Sequence, residues 1–207
     1  MLSWGRRATI INKATELIDL MDGSPYDFIL NHTEKDREKF LKFKHRTFLT
    51  DDTIYFLHFL QKFYLDHNSL EEAFISDNTE NRVEAGITNF HKLFTGDELM
   101  LKRTAKHVST PSKNTACKRL NMFLRWMVRD DDQQVDFGLW KKISMADLMI
   151  PLDVHVGRVA RQLGLLTRPQ DDWKSVVELT ENLRLLDAND PVRYDYALFS
   201  IGVNNGQ

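Results

Sequence analysis

Nearly every segment of this 207-residue chain repeats its apolar residues at intervals of three and four, and strand-type alternation is scarce. That period belongs to amphipathic helices, so the spacing predicts an all-α protein. Helices are expected near residues Arg6–Met21, Pro25–Asn31, Glu34–Phe43, Thr53–Asp66, Leu70–Ile75, Glu80–Phe94, Glu98–Lys106, Thr115–Arg129, Val156–Leu163, Trp173–Leu186 and Val192–Ile201. Stop and start signals separate several of them: Gly23-Ser24-Pro25, Asp51-Asp52, Gly96-Asp97 and Asn189-Asp190-Pro191. With 42% hydrophobic and 28% charged residues, the chain can bury one sizeable core or two small lobes.

Composition removes several classes of function. Cys117 is the single cysteine, which excludes an intrachain disulfide and any four-cysteine zinc or iron–sulfur site. A reducing, cytoplasmic setting is expected. No run approaches the roughly 18 apolar residues of a membrane span, and the N-terminus lacks a signal-peptide core. His32, His45, His58, His67, His91 and His107 show no metal-ligand spacing with partner acids or cysteine, so neither metal nor cofactor is expected. Gly-x-x-x-x-Gly-Lys and Gly-x-Ser-x-Gly are absent, so nucleotide hydrolysis and serine esterase chemistry find no support.

Two regions stand out. The first is Ile150-Pro151-Leu152-Asp153-Val154-His155, which leads into an apolar stripe at Val156, Val159, Ala160 and Leu163. Pro151 stops what precedes it, and Asp153 stands at a helix N-terminus beside orphan backbone N–H groups. By spacing alone it is a helix cap, since aspartate is among the preferred N-cap residues. The second region runs from Lys102 to Arg129. It holds eight cations, Lys102, Arg103, Lys106, Lys113, Lys118, Arg119, Arg125 and Arg129, and no acid, although the whole chain has a net charge of −2. Such a field attracts phosphate backbones and predicts salt-dependent binding to nucleic acid. The alternative is a solvated helix face balanced by Asp130, Asp131 and Asp132. Ser109, Thr110, Ser112 and Lys113 precede a helix, and their hydroxyls with its N-terminus could hold one phosphate. On that helix Leu120, Phe123, Leu124 and Met127 form the apolar stripe, while Lys118, Arg125 and Arg129 share another face.

The stretch Pro151-Leu152-Asp153-Val154-His155-Val156-Gly157-Arg158-Val159-Ala160-Arg161 resembles the segment that carries the catalytic aspartate of the helix-hairpin-helix DNA glycosylase superfamily. The resemblance implies a two-lobed helical glycosylase-like fold with a divergent helix-hairpin-helix. Residues 97–164 would then form the sub-lobe carrying the DNA-clamping hairpin and the catalytic Asp153, and the remaining helices the second lobe. It also implies a duplex DNA partner, base excision, and a lysine in the first turn of the helix after the hairpin. Lys118 is the best match, with Lys113 second. Phosphate contacts are implied for Lys113, Arg119, Arg125, Arg129, Arg158, Arg161, Ser109 and Ser112. The hairpin's Gly-x-Gly turn has no counterpart, because no glycine occurs between Gly96 and Gly138. Residues 130–144, with Phe137, Trp140 and Lys141, lengthen the Lys118–Asp153 separation in a way similar to archaeal oxoguanine glycosylases.

The chain is also similar over nearly its whole length to an uncharacterised bacterial family distantly related to the glycosylases. The matching segments are Asp22-Gly23-Ser24-Pro25-Tyr26-Asp27-Phe28, His45-Arg46-Thr47-Phe48 and Lys118 to Met127, besides Pro151 to His155. In that family Trp-Gly-Asn/Arg-Arg, here Trp4-Gly5-Arg6-Arg7, follows an earlier helical portion, so a missing first part is expected. The functional expectation is a monomeric DNA glycosylase, with or without lyase activity. The rivals are a DNA-binding protein that kept the fold without the chemistry and a helical scaffold with no nucleic-acid role. Trp4, Trp126, Phe137, Trp140 and Tyr194 are candidates to stack on a flipped base, and aromatics at helical spacing are more commonly core.

Overall fold

A computed structural model describes residues 2–78, 80–131 and 135–204, so Asp132 of the acidic run lies outside the described residues. Among the described residues there are eight α-helices: α1 (Arg7–Leu20), α2 (Pro25–Asn31), α3 (Thr50–Asp66), α4 (Arg82–Thr95), α5 (Lys118–Val128), α6 (Val154–Gln162), α7 (Trp173–Arg184) and α8 (Asp195–Asn204). The protein is all-α. Its one β-type feature there is an isolated bridge between His45 and Phe48. No described helix is long and apolar enough to cross a membrane.

Three expected helices are shorter and tighter than the sequence pattern indicates. Glu34–Phe43 reduces to a 3₁₀ turn at Asp36–Phe40 and Leu70–Ile75 to one at Leu70–Phe74, while Glu98–Lys106 is turns ending in a 3₁₀ segment at Thr104–His107. Each is too short to offset the cost of helix nucleation, and tertiary contacts hold it as a single tight turn instead. The chain divides into two compact units, Met1–Glu72 with Lys92–Val108 and Ala73–His91 with Ser109–Gln207. Residues 97–108 fall in the first unit and residues 109–164 in the second.

In the first unit, Phe28, Ile29, Phe40, Phe43, Phe48 and Leu57 form a buried cluster. Beside it Asp52, fully buried, accepts the Leu49 amide at 2.8 Å, the Thr104 hydroxyl at 2.7 Å and an Arg103 nitrogen at 2.9 Å. Burial pushes the Asp52 carboxyl up, but the Leu49 amide, the Thr104 hydroxyl and the neighbouring cations outweigh it and hold it below the usual range. Arg103, one of the eight cations of the basic run, is thus engaged by an acid about fifty positions earlier in the chain.

The second unit is built on the apolar stripes of α5 to α8. Leu120, Leu124 and Val128 of α5 are buried with Val156, Val159 and Ala160 of α6, Val176, Leu179 and Leu183 of α7, and Leu198 of α8. Leu163 falls on the C-cap of α6 and is exposed. Trp140 is buried against Phe123 and Phe74, at centroid separations of 5.3 Å and 5.6 Å, so it is core and no base-stacking platform. The last turn of α5 is closed by the segment that follows it, since the Phe137 and Trp140 amides donate to the Trp126 and Met127 carbonyls at 2.7 Å each.

Helices α6 and α8 meet at Gly202. A β-carbon there would lie 2.8 Å from the His155 carbonyl oxygen and 2.9 Å from the His155 Cβ. Gly202→Ala is accordingly expected to cost about 1–3 kcal/mol by overpacking, read as a lower urea midpoint at unchanged m-value. A midpoint equal to that of the parent protein would mean that the helices part without strain.

Candidate functional site

Asp153 has extended backbone, φ −130° and ψ −178°, and caps α6: its Oδ1 accepts the His155 and Val156 amides at 3.0 Å each. The cap expected from spacing is real, and it occupies one carboxylate oxygen. Oδ2 faces Lys118, whose Nζ lies 2.9 Å away. The lysine and the aspartate selected separately in the sequence are therefore an ion pair. Burial pushes the Asp153 carboxyl up, and the Val156 amide, the Lys118 ammonium and the His155 amide more than offset it, so the group sits below its usual range. Its side chain keeps 15% of its exposure and that of Lys118 keeps 38%, so solvent reaches the pair.

Lys118 is placed by the turn before it. A short 3₁₀ segment, Pro111–Lys113, is capped by the Thr110 hydroxyl, and Asn114 and Cys117 then take left-handed backbone at φ +51° and +48°. Glycine normally occupies such positions, and the turn is made here without one. Asn114 tolerates the conformation and donates to Asp172 at 3.0 Å. Cys117 is buried, with its sulfur 3.3 Å from the Thr115 hydroxyl, and burial raises its thiol. Because Cys117 is left-handed, α5 begins at Lys118 instead of Thr115 and presents that lysine in its first turn.

Sequence reasoning also missed Asp195, the first residue of α8 and the partner of Arg125. It is buried and accepts from Arg125 Nη1. Burial pushes its carboxyl up, Arg125 pulls it down, Asp153 pushes it up and Lys118 pulls it down, with a further push from Asp136, and the outcome is a group raised to about 6. Nothing in the local pattern around Asp195 marks it. The available signal lay on α5, where Arg125 shares a face with Lys118 and needs a counter-ion from elsewhere.

Four of the expected phosphate ligands have partners inside the protein. Arg125 is only 4% exposed: Nε donates to Asp136 at 3.3 Å, Nη1 to Asp195 and Nη2 to the Tyr196 hydroxyl at 3.0 Å, with the guanidinium 4.5 Å from the centre of the Tyr196 ring. Arg129 is paired with Asp131, Asp136 and Asp190. Arg158 donates to the Gly202 carbonyl of α8. Arg161 holds the loop after α6 through the Arg168 and Gln170 carbonyls and Asp171, at 2.8, 3.2 and 2.6 Å. Each of the four meets an acid or carbonyl that the linear sequence places well away from it or in another element. Asp131 of the acidic run balances Arg129, whereas Asp130 pairs with Lys141.

The remaining candidates lie on or near the turn. Lys113 and Ser112 are exposed, Ser109 is half-buried and hydrogen-bonded to the Cys117 thiol, and Arg119 is half-buried with its guanidinium lowered by that burial. His155 contacts α8, with Nδ1 3.3 Å from the Gly202 carbonyl and its ring edge-on to Phe199. Of the aromatic candidates, Phe137 is exposed, Trp126 and Tyr194 are half-buried, and Trp4 lies in the first unit under the Arg46 guanidinium. Among the described residues, no group of three or more His, Cys, Asp or Glu side chains converges as metal ligands would. The site is thus a half-exposed primary amine and a firmly ionised carboxylate in contact with it.

A family model described as "Protein of unknown function (DUF2400)" matches residues 1–204. No curated protein and no solved structure matches the chain.

Proposed function

The chain belongs to the DUF2400 family, and we propose that it is a DNA glycosylase with abasic-site lyase activity, Lys118 being the nucleophile and Asp153 the electrostatic partner. The observation that carries this reading is the 2.9 Å contact between Lys118 and Asp153 in a solvent-reached site. A reactive lysine needs a way to shed its proton and a charge to stabilise the cation it creates, and an adjoining carboxylate meets the second need. Asp153, held ionised by two backbone amides and the ammonium, suits the positive charge that builds on a sugar as its glycosidic bond breaks. The exposed Lys113 and Ser112 on the turn just before α5 are the groups left to meet a phosphate beside the amine.

In this scheme the target nucleotide leaves the base stack, at a cost of a few kcal/mol that a damaged or mispaired base reduces. The neutral Lys118 amine attacks C1′ as the bond to the base breaks with its electron pair, the C1′–O4′ bond then opens with a proton passing from nitrogen to O4′ to leave a Schiff base, and loss of a C2′ proton expels the 3′ phosphate by β-elimination. Borohydride trapping on duplexes carrying an abasic site, 8-oxoguanine, uracil or an alkylated base tests the proposal. The expected result is a covalent adduct that disappears in Lys118→Gln and persists in Lys113→Gln. Salt-sensitive duplex binding without adduct or base release would instead indicate a binder without chemistry, and absence of all three would remove the DNA reading.

A further inference from the structure

Trp4-Gly5-Arg6-Arg7 and His45-Arg46-Thr47-Phe48 lie together in the first unit and take no part in the Lys118 site. The His45 and Phe48 backbones exchange hydrogen bonds at 2.8 and 2.9 Å, which makes residues 45–48 a tight turn with Arg46 and Thr47 at its tip. Arg46 has left-handed backbone there, φ +56°, a conformation that favours glycine or asparagine. Three contacts fix the tip. Buried His45 donates from Nε2 to the Trp4 carbonyl at 3.1 Å, Arg103 donates to the Thr47 carbonyl at 3.2 Å, and the Arg46 guanidinium stands over the Trp4 ring at 4.3 Å from its centre. Gly5 permits the approach, since a β-carbon there would lie 2.9 Å from Arg46 Nη1.

We propose that this turn and the start of α1 form a second DNA-binding surface, in which Arg46, Arg6 and Arg7 grip duplex phosphates with Lys42 and Lys44 beside them. The inference rests on the reading above only for its partner, DNA, and uses none of its residues. All five cations are exposed, and among the described residues none is paired with an acid. Arg6 and Arg7 are the N-cap and first residue of α1, whose first turn holds no acid, so the helix dipole disfavours them too. On and just after α1, Glu16 holds Lys13 and Asp22 holds Lys39, while Asp19 lies about 18 Å along the helix from Arg7. Between Phe40 and Asp52 the only exposed acid is Asp51, against the three exposed cations Lys42, Lys44 and Arg46. Crowded like charges without counter-charges oppose folding, and a bound polyanion relieves them.

The chemistry of Arg46 selects among polyanions. A guanidinium held over an indole keeps its N–H edge for a ligand, in a plane already fixed, which suits the paired oxygens of a phosphodiester. Little freedom is then lost on binding. A fluid lipid surface asks only for charge and gains nothing from that order.

The test is binding of the whole protein to duplex DNA, with and without an abasic site, by fluorescence anisotropy over a range of salt. Each phosphate contact adds about 0.9 to the slope of log K against log salt, so Arg6→Gln/Arg7→Gln/Arg46→Gln should reduce the slope by about 2.7. Arg6→Gln/Arg7→Gln leaves the Arg46–Trp4 contact in place, which covers any loss of the turn, and should reduce it by about 1.8. Lys39→Gln/Lys62→Gln/Lys141→Gln removes as much charge as the triple arginine variant from cations that Asp22, Asp97 and Asp130 already hold, and should leave the slope unchanged. A parent slope in both arginine variants overturns the proposal, as does a parent protein that binds no duplex. So does binding to phosphatidylserine vesicles that the arginine variants lose while their duplex binding stays intact. Duplex binding that depends on these arginines, without a borohydride-trapped adduct, would remove the glycosylase reading and leave this surface standing; an adduct formed by variants of unchanged slope would do the reverse.

Discussion

Arg125→Ala is expected to lower stability by about 3–5 kcal/mol, the usual cost of removing one partner from a buried ion pair, and the melting temperature by roughly 10 °C. The guanidinium is almost fully buried and serves Asp136, Asp195 and the Tyr196 hydroxyl together. Truncation leaves the buried Asp195 without its cation and Asp136 with Arg129 alone. The loss should depend on pH. In the parent protein the folded-state value of Asp195 lies above its ordinary 3.8, so its ionisation opposes folding as pH rises from about 4 through 6. Arg125 is the chief influence that keeps this value from climbing further, and without it the opposition grows and extends to higher pH. Urea unfolding at pH 5 and pH 7 should show a larger difference between variant and parent at pH 7. An equal loss at both would mean that lost packing on Tyr196, not the stranded Asp195 carboxylate, sets the cost.

The helical class and the stripes on α5 and α6 were legible because a period of three to four residues survives whatever surrounds it. Asp153 as a cap was equally legible, since proline, aspartate and an apolar stripe form a local signal. Charge was not. The run from Lys102 to Arg129 reads as one positive field, yet Arg103 is met by Asp52, Lys118 by Asp153, Arg125 by Asp136 and Asp195, and Arg129 by Asp131, Asp136 and Asp190. Most of those acids are remote in sequence, so a linear sum of charge cannot anticipate them. The turn before α5 escaped for a different reason. Left-handed backbone is read from glycine, and here Asn114 and Cys117 take it. A gap in the expected glycines therefore said nothing about whether the turn could form, only that its residues carry side chains.

Asp153→Asn separates the cap that this residue forms from the charge that the proposed glycosylase chemistry asks of it, and under that proposal its expected result is a large loss of base release with little loss of fold. Asparagine ranks with aspartate as an N-cap, so its amide oxygen can still accept the His155 and Val156 amides and α6 keeps its first turn. What disappears is the negative charge 2.9 Å from Lys118. Because both side chains reach solvent, that pair is worth no more than about 1 kcal/mol of stability, and the unfolding midpoint should move little. Asp153→Ala removes the cap as well and should cost a further ~1 kcal/mol. Acid titration gives an independent check of sign. The Asp153 value is depressed on folding, so its contribution is fully present above its ordinary 3.8 and fades as pH falls through the lower folded value; the Asn variant should lack that part of the acid transition. For base release the outcome differs in scale: a fixed charge beside a developing sugar cation is worth about 10²–10³ in rate, so single-turnover release by Asp153→Asn should fall by that factor while duplex binding is retained. Release at the parent rate from a folded Asn variant would reduce Asp153 to a helix cap and remove it from the proposed chemistry.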